Sequence, residues 1–418
     1  MLGFFSSAIK NYYSSYQGVP KLCWVNIIFN LLNAISVGVC FFLSLYFVDL
    51  LHFNMMSVGL LMSSYGIGTV FGGIVSGRLC DQFSSDILAI ISLIFQSAAF
   101  FTLACFHTFE PLAVILFILG MSNYSFKTAN NVSMLNHCGD DKYLRLKTIN
   151  ITHAASNFGL GISGAIVGIM AGYMRIFYSA SVLLVFSAIY LLFLTPLKRF
   201  QRRNYRQQNK QHSANADSPN TKILILALLS VFFVGLIIAQ LGSTYPVYVK
   251  DTFPDLATRA VSILFILDTV LIVLFQAPLS SYCGRFNPVL VMGLGAFLMG
   301  LGMLVLSISS TFFWAMISCC IWTTGEMLFI PTAQLLCYEN GNKYKKGQSM
   351  GVFQSTYAIS TVVGPAIGGF MYSKVDVNAM WYLSIVIGVA CFISCIALVR
   401  RDKLLSLRQL STDTNTST

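Results

Sequence analysis

The strongest constraint on the fold is a series of long apolar runs that recurs along almost the whole chain. Each run is about twenty residues long, which as a helix spans the ~30 Å hydrocarbon core of a bilayer. Hydrophobic residues make up 56% and charged residues 10% of the 418 residues, whereas charged residues approach ~25% in a soluble domain. The runs are continuously apolar, which favours helices over the alternating strands of a membrane barrel. The sequence therefore predicts an all-α protein embedded in the lipid bilayer.

Twelve runs are long enough to be transmembrane helices. They cover residues 24–48, 56–76, 87–106, 112–136, 149–171, 176–195, 222–244, 260–280, 288–309, 312–337, 350–372 and 379–399. A basic, polar stretch separates the sixth run from the seventh and reads as a flexible connector. We therefore expect an N-terminal six-helix bundle in residues 1–197, a cytoplasmic linker in 198–221, a C-terminal six-helix bundle in 222–400 and a cytoplasmic tail in 401–418.

Basic residues indicate the orientation in the membrane. With both termini in the cytoplasm, the loops on the other side carry only Arg175, Lys250, Arg259 and Lys374. Because cytoplasmic loops are enriched in Lys and Arg, we expect a multi-pass protein of the cell membrane with both termini cytoplasmic. The same enrichment accounts for the net charge of +11, so it implies no nucleic-acid partner. No removable signal peptide is recognisable before Trp24.

The two halves look like copies of one another. A shift of 201 positions superimposes glycines and prolines that pack or bend helices. The aligned pairs are Gly77 with Pro278, Asn130 with Pro331, Gly164 with Pro365, and Gly168 with Gly369. Repeated halves are typical of transporters, whose substrate site lies at mid-membrane between the two halves. We therefore predict two pseudo-symmetric six-helix bundles.

Three charged residues, Lys127, Asp268 and Glu326, lie deep in the apolar runs and are not repeated between the halves. An ionised side chain at bilayer depth costs at least ~2.5 to 3.5 kcal/mol, so such residues face a partner or a wet cavity. We expect these three groups to meet in one cavity. No nucleophile paired with a base and no metal-ligand spacing appears. The sequence therefore predicts neither an enzyme nor a cofactor or metal site, and the eleven cysteines are interpreted as reduced thiols.

Two motifs resemble those of the major facilitator superfamily. Residues 77–84 resemble its Gly-x-Leu-x-Asp loop motif, and residues 364–369 resemble its Gly-Pro-x-x-Gly-Gly helix motif. The likeness extends over about residues 20 to 400 and implies the major facilitator fold and transport by alternating access. It assigns conformational gating to Gly77, Asp81, Gly364, Pro365 and Gly369.

Two branches of the superfamily are resembled. Lys127 with Asn130, and Asn157 in the next run, look like the fourth and fifth helices of proton-coupled oligopeptide transporters, and Glu326 with Pro331 looks like their tenth. The glycine and proline patterns also look like those of drug/proton antiporters and other multidrug carriers. In the resembled fold the fourth and tenth helices face each other, which implies that Lys127 pairs with Glu326.

Candidate site residues follow from polarity within the membrane. For proton coupling we expect Glu326, Asp268 and His153, since histidine titrates near neutral pH when unperturbed. For substrate binding we expect Lys127, Asn123, Asn130, Asn33, Asn157, Gln240, Trp322 and Gln354. Several of them have a structural alternative: Asp268 and His153 as packed neutral or hydrogen-bonded groups, Lys127 held by interhelical hydrogen bonds, and Asn33 and Gln240 as ties between helices.

These observations predict a monomeric secondary active transporter that moves a small organic solute together with protons. Lys127 favours a carboxylate-bearing metabolite or a peptide-like or siderophore-like solute. Efflux of drugs or metabolites by proton antiport is an alternative. A membrane sensor that binds without transporting is an alternative from another class.

Overall fold

A computed structural model describes residues 16–169, 173–194, 220–256, 258–342 and 345–416. The predicted linker 198–221 lies outside these ranges except for its last two residues, and so does most of the N-terminal segment. Residues 170–172, where the fifth predicted helix ends, also lie outside them. The described residues form helices and connecting turns, with no β-strand among them.

The first half contains six long helices. Helix α1, Lys21–Val37, continues through a 3-10 turn at Gly38–Phe42, a helical turn at Leu43–Leu45 and a π turn at Tyr46–Leu50. The others are α2 (Met55–Gln82), α3 (Ser85–Cys105), α4 (Phe109–His137), α5 (Lys142–Ile169) and α6 (Tyr173–Leu194).

The second half repeats this arrangement. Helix α7, Thr221–Leu241, ends at a turn, and a short helix, Thr244–Thr252, follows it. The others are α8 (Thr258–Cys283), α9 (Pro288–Ser307), α10 (Phe312–Asn340), α11 (Lys346–Lys374) and α12 (Ala379–Thr416). Helix α12 thus continues beyond the predicted span, which ended at residue 399.

The twelve predicted runs correspond one to one with α1–α12. Ten helices of the described chain are long and apolar enough to cross a membrane by length and composition alone. The other two, α5 and α11, are 28 and 29 residues long but more polar. Both pack against the opposite bundle, where polar side chains find partners, so their polarity has a structural reason. The prediction of an all-α protein with twelve membrane helices is confirmed.

Helix packing follows the predicted pseudo-symmetry. In the first bundle α1 packs on α5, α2 on α4, and α3 on α4 and α6. Each pair has a counterpart six helices later in the second bundle: α7 on α11, α8 on α10, and α9 on α10 and α12. Glycines permit the closest approaches; a Cβ at Gly295 of α9 would lie 2.7 Å from the backbone nitrogen of Phe329 on α10.

Two symmetry-related contacts join the bundles. Helix α2 packs on α11, and α5 packs on α8. A Cβ at Gly77 would lie 2.8 Å from the carbonyl oxygen of Gly347 and 2.9 Å from the Cα of Gly351, so α2 and α11 touch backbone to backbone. We call the end of the molecule that carries Gln82, Lys142, Asn340 and Lys346 the closed end, because the bundles meet there.

Large apolar side chains cover the outer faces. On α6 the exposed residues Val182, Phe186, Ile189 and Phe193 recur at helical spacing, and Phe193 is 82% exposed. In water this surface would be an aggregation site, whereas hydrocarbon solvates it. The outer surface therefore fits a lipid environment, and the polar residues lie between the helices.

Candidate functional site

A histidine and a glutamate meet across the boundary between the bundles. His153 lies on α5, and Glu326 lies on α10, which packs against α5. The His153 Nε2 and Glu326 Oε1 atoms are 3.5 Å apart, and the two side chains are only 14% and 10% exposed. Because each residue belongs to a different bundle, this contact depends on how the bundles sit together. Two of the three predicted proton-coupling residues are thus brought into contact.

The third predicted proton-coupling residue, Asp268, lies beside this pair on α8. It is 8% exposed, and its Oδ1 accepts a 2.8 Å hydrogen bond from the Thr323 hydroxyl of α10. Thr323 lies one turn before Glu326, and the Asp268 carboxylate is within electrostatic range of the Glu326 carboxylate. Two carboxylates and one histidine therefore share a single buried site.

Sequence reasoning missed Gln276, which organises this site. Its Nε2 donates to Met327 O at 3.0 Å and, in a second short hydrogen bond, to Asn150 Oδ1. Its Oε1 lies 3.3 Å from His153 Nδ1. Gln276 therefore contacts α5 and α10 from α8. The sequence could have indicated Gln276, because it is a single amide in the apolar run of residues 269–279, where a polar side chain needs partners.

Lys127 lies elsewhere on the same interface, not beside Glu326. Its ammonium sits over the Tyr124 ring, 4.9 Å from the centroid. Within the described chain Lys127 forms no ion pair and no hydrogen bond. The predicted Lys127–Glu326 pair is therefore wrong for this conformation, because His153 of α5 takes the position beside Glu326.

Aromatic and polar side chains fill the space between Lys127 and Glu326. Tyr124 lies against Thr361 of α11, and Tyr357 is within electrostatic range of both Tyr124 and Glu326. Gln354, one turn before Tyr357, is 8% exposed. Tyr124, whose ring lies beneath the Lys127 ammonium, therefore reaches the opposite bundle through Thr361.

Asn123 and Asn157 flank this surface. Asn123 Nδ2 donates to the Tyr65 hydroxyl at 3.0 Å, while its Oδ1 is buried without a hydrogen-bond partner in the described structure. Asn157 is partly buried, and its Nδ2 donates to the His153 carbonyl within α5 at 3.2 Å. The substrate-binding role predicted for both stays a prediction.

Three amides predicted for substrate binding are instead ties between helices. Asn33 donates to Gln96 Oε1 of α3 at 2.7 Å, and Asn130 exchanges hydrogen bonds with Asn26 of α1 at 3.0 and 3.1 Å. Gln240 of α7 donates to the Gly364 carbonyl of α11 at 2.9 Å. All three are at most 2% exposed. In this conformation their hydrogen bonds are used in packing, and their predicted contact with substrate stays a prediction.

Trp322 is also part of the packed core. It is 0% exposed and stacks edge to face with Tyr245 at a centroid distance of 6.1 Å. Its backbone lies against Gly302, where a Cβ would come within 2.6 Å. Helices of its own bundle surround the ring in this conformation, and the predicted contact of Trp322 with substrate stays a prediction.

Asp81 joins the bundles at the closed end. Its two carboxylate oxygens accept hydrogen bonds from the backbone N–H groups of Gly347 at 2.7 Å and Gln348 at 2.9 Å. These amides belong to the first turn of α11, which carries partial positive charge and has no intrahelical acceptors. Gly77, one turn earlier, permits the approach of α2 to α11. The geometry favours the gating role predicted for Gly77 and Asp81.

The Gly364–Gly369 motif packs unevenly. A Cβ at Gly364 would lie 2.5 Å from the Ala239 Cβ of α7, whereas a Cβ at Gly369 would meet nothing within 4 Å. Pro365 lies inside α11 and removes one helical hydrogen bond. The gating role of Gly364, Pro365 and Gly369 stays a prediction, and of the two glycines only Gly364 is closely packed against α7.

A second contact at the closed end was not predicted. Arg145 of α5 pairs with Glu339 of α10 at 2.5 Å, and Arg145 is 8% exposed. The Tyr338 hydroxyl also donates to Asn136 Oδ1 of α4 at 3.2 Å. We call the Arg145–Glu339 pair the closed-end latch. Its signal in the sequence was weak, since both residues stand among other charges near helix ends.

A groove of about 280 Å³ between α8 and α10 is lined by Leu271, Phe275, Leu279, Thr324 and Met327. Phe275 is 51% exposed on the outer face, so this groove opens toward lipid. It is not the polar site between the bundles.

Comparison with known proteins places these features in a family. The Major Facilitator Superfamily model matches residues 25–360. An uncharacterized MFS-type transporter, YqjV of Bacillus subtilis, is 20% identical over 371 residues, covering 85% of this chain and 87% of that protein. The multidrug efflux pump SdrM of Staphylococcus aureus is 24% identical over 174 residues, covering 41% of this chain and 38% of that protein.

Solved structures share the fold. The human organic anion transporter MFSD10 has a TM-score of 0.69 at 13% identity, with 90% of this chain and 100% of that one covered. A variant of the Escherichia coli fucose:proton symporter FucP has a TM-score of 0.66 at 14% identity, with 89% and 96% covered. The family and the fold are those of membrane transporters rather than enzymes. The chain belongs to the major facilitator superfamily.

Proposed function

We propose that this protein moves a small organic anion, most simply a carboxylate, across the cell membrane together with protons by alternating access. The observation that carries the proposal is the contact of His153 with Glu326 between the two bundles, 3.5 Å long and largely buried. A titratable contact between two bodies changes their affinity for each other when its proton leaves. Proton transfer and movement of the bundles are thereby coupled.

The anion specificity rests on Lys127. A cation at bilayer depth with no counter-ion is unstable, and an anionic ligand supplies the missing charge. Within the described chain the Lys127 ammonium lies over the Tyr124 ring and near the Cys40 thiol, and it forms no ion pair with an acidic side chain. The unpartnered Asn123 Oδ1 lies one turn away and would accept a donor group from the same solute. A carboxylate metabolite that also carries an amide or hydroxyl group fits this pair.

The orientation follows from the closed end. Arg78, Lys142, Arg145, Arg285 and Lys346 lie at or near it, and basic residues concentrate on the cytoplasmic side. We therefore propose that the closed end faces the cytoplasm and that this conformation admits the solute from outside. Separation of the Asp81 contact and the closed-end latch would release the solute inward.

Uptake into proteoliposomes tests the proposal. The full 418-residue chain is reconstituted, and an inward proton gradient is imposed in the presence of small carboxylates, short peptides or cationic dyes. We expect accumulation of a carboxylate with the gradient, and loss of that accumulation in Glu326→Gln at equal protein content. Carboxylates that bind without flux would mean a sensor and would refute the proposal.

Proton antiport is the second candidate function, since a drug efflux pump is among the relatives. The same site would serve an antiporter, but the solute would then leave the cell while protons enter it. Export of dyes driven by proton entry, without carboxylate uptake, would favour efflux and overturn the anion proposal.

A further inference from the structure

We infer that Gln276 fixes the tautomer of His153, so that the histidine presents a bare Nε2 to Glu326 and the two side chains share one proton between the bundles. The inference deepens the proposed function, and the role of Gln276 in transport rests on that proposed function. The tautomer itself does not depend on transport. Gln276 is a positioning residue, because it acts through His153.

The orientation of the Gln276 amide is set by a backbone carbonyl. Met327 O lies 3.0 Å from the Gln276 amide, and a carbonyl oxygen only accepts hydrogen bonds. The atom that faces Met327 must therefore be Nε2. The opposite orientation would place two acceptor oxygens against each other in a buried site, which is costly.

A second backbone carbonyl fixes the orientation of the neighbouring Asn150 side-chain amide. Asn150 Nδ2 donates to Leu146 O at 2.8 Å, so Asn150 Oδ1 faces Gln276. It accepts the other amide hydrogen of Gln276. Both hydrogens of the Gln276 amide are then used, and Oε1 is left as an acceptor.

The histidine tautomer follows from these two anchors. Gln276 Oε1 lies 3.3 Å from His153 Nδ1, so Nδ1 must carry a hydrogen to form the bond. A neutral imidazole has one N–H, and Nε2 then has a lone pair. That lone pair faces Glu326 Oε1 at 3.5 Å.

The pair can therefore be joined by one proton. With that proton present, either an imidazolium faces a carboxylate or a neutral imidazole accepts from a carboxylic acid, and both arrangements are attractive. Without it, a lone pair faces a carboxylate, and this contact no longer attracts α5 to α10. The other titratable groups within range of Glu326 are Asp268 on α8, Tyr357 on α11 and Cys319 on α10. Ionised Asp268 adds negative charge and favours retention of the proton.

Nitrogen NMR of the full chain in lipid nanodiscs reads the tautomer directly. With ¹⁵N-labelled histidine, the signals lost in His153→Gln assign the His153 nitrogens. In the neutral state we expect a protonated Nδ1 and an unprotonated Nε2. A protonated Nε2, or an equal mixture of tautomers, would overturn the inference whether or not transport is observed.

The pH profile of transport tests the coupling. Gln276→Leu removes the acceptor for Nδ1–H, so we expect the pH midpoint to fall by about one unit, a tenfold change in proton affinity. Gln276→Glu offers a carboxylate to Nδ1–H, so we expect the midpoint to rise. A Gln276 that only ties helices together would lower the rate in both variants without moving the midpoint, and that result would refute the positioning role.

Gln96 provides a matched control. It is a buried glutamine that accepts from Asn33 and donates to the Ser122 carbonyl at 3.2 Å, with no histidine contact. Gln96→Leu should leave the pH midpoint unchanged. A midpoint that moves equally in Gln96→Leu and Gln276→Leu would mean a general packing effect and would contradict the inference. If the NMR tautomer is as expected but no flux depends on pH, the proposed function fails while the assignment stands.

Discussion

At the residue scale, the site keeps its opposite charges apart. Lys127 belongs to the first bundle, lies over the Tyr124 ring and near the Cys40 thiol, and forms no ion pair within the described chain. Glu326 and Asp268 belong to the second and lie beside His153 and Thr323. If Lys127 and Glu326 formed a buried ion pair, each would satisfy the other. We propose that their separation leaves Lys127 available to an anionic solute and Glu326 available to a proton.

Lys127→Gln tests the anion role. Removing the charge should raise KM for a transported carboxylate at least about tenfold, since a hydrogen bond to a charged group contributes ~1.5 to 3 kcal/mol. The measurement is initial uptake in proteoliposomes over a range of solute concentrations. Lys142→Gln, at an exposed lysine on α5, is the control and should leave KM unchanged. An unaltered KM in Lys127→Gln would remove the anion role.

Rare charges in the membrane could be recognised from the sequence, but their partners could not. Lys127, Asp268 and Glu326 stand out because their neighbours are apolar. The choice of His153 rather than Lys127 as the partner of Glu326 depends on how α5 meets α10, which spacing along one helix does not encode. For the same reason, the spacing of Asn33 did not distinguish a tie to Gln96 from a substrate contact.

At the element scale, small residues set how closely helices approach. Backbone contact between α2 and α11 requires glycine at positions 73, 77, 347 and 351. Asp81 then reaches the first turn of α11, where its charge is stabilised by two N–H groups. Glycine at these positions therefore serves the contact between the bundles and not only the fold of one bundle.

Gly364 and Gly369 give a matched test on a single helix. Gly364→Ala should lower Tm, because its Cβ would lie 2.5 Å from the Ala239 Cβ and overpacking costs ~1 to 3 kcal/mol. Gly369→Ala should leave Tm unchanged or raise it slightly, because the space is open and alanine favours helix. Thermal unfolding of both purified variants is the measurement. Equal Tm values would contradict this difference in packing.

The positions of the helices were well predicted by hydropathy, because lipid leaves a backbone few alternatives to helix. The predictions that were wrong concern local helix boundaries. The α7 run stops at Leu241 rather than residue 244, where Gly242 and Ser243 form a turn before Thr244–Thr252. Helices α5 and α11 were predicted despite their polarity, and their partners across the interface explain it.

At the scale of the whole molecule, the bundles are joined by the packing of α2 on α11 and of α5 on α8, and by a few polar contacts. Asp81 with α11 and Arg145 with Glu339 hold the closed end, while His153 with Glu326 joins the bundles deeper in the membrane. Breaking a few such contacts costs less than unpacking a bundle. We therefore propose that the molecule opens at this interface while each bundle stays folded.

The closed-end latch is testable by charge reversal. Arg145→Glu should favour opening of the closed end, because it places like charges beside Glu339. The double variant Arg145→Glu with Glu339→Arg should recover most of the closed population, since contacting charges couple in double-mutant cycles. Protection of Cys80, on α2 near the interface, from a membrane-impermeant thiol reagent added to everted vesicles is the measurement. No recovery in the double variant would contradict a direct ion pair.

The proton shared by His153 and Glu326 is the group that we propose holds the bundles together within the membrane. The most direct measurement is the distance between spin labels at Tyr143 on α5 and Tyr282 on α8, both exposed, in protein whose native cysteines are replaced. We predict that the distance lengthens as the pH rises, and that Glu326→Gln keeps the short distance throughout, because its amide donates to a neutral Nε2 and its carbonyl oxygen accepts from a protonated one. The same pH-dependent lengthening in Glu326→Gln would contradict the claim.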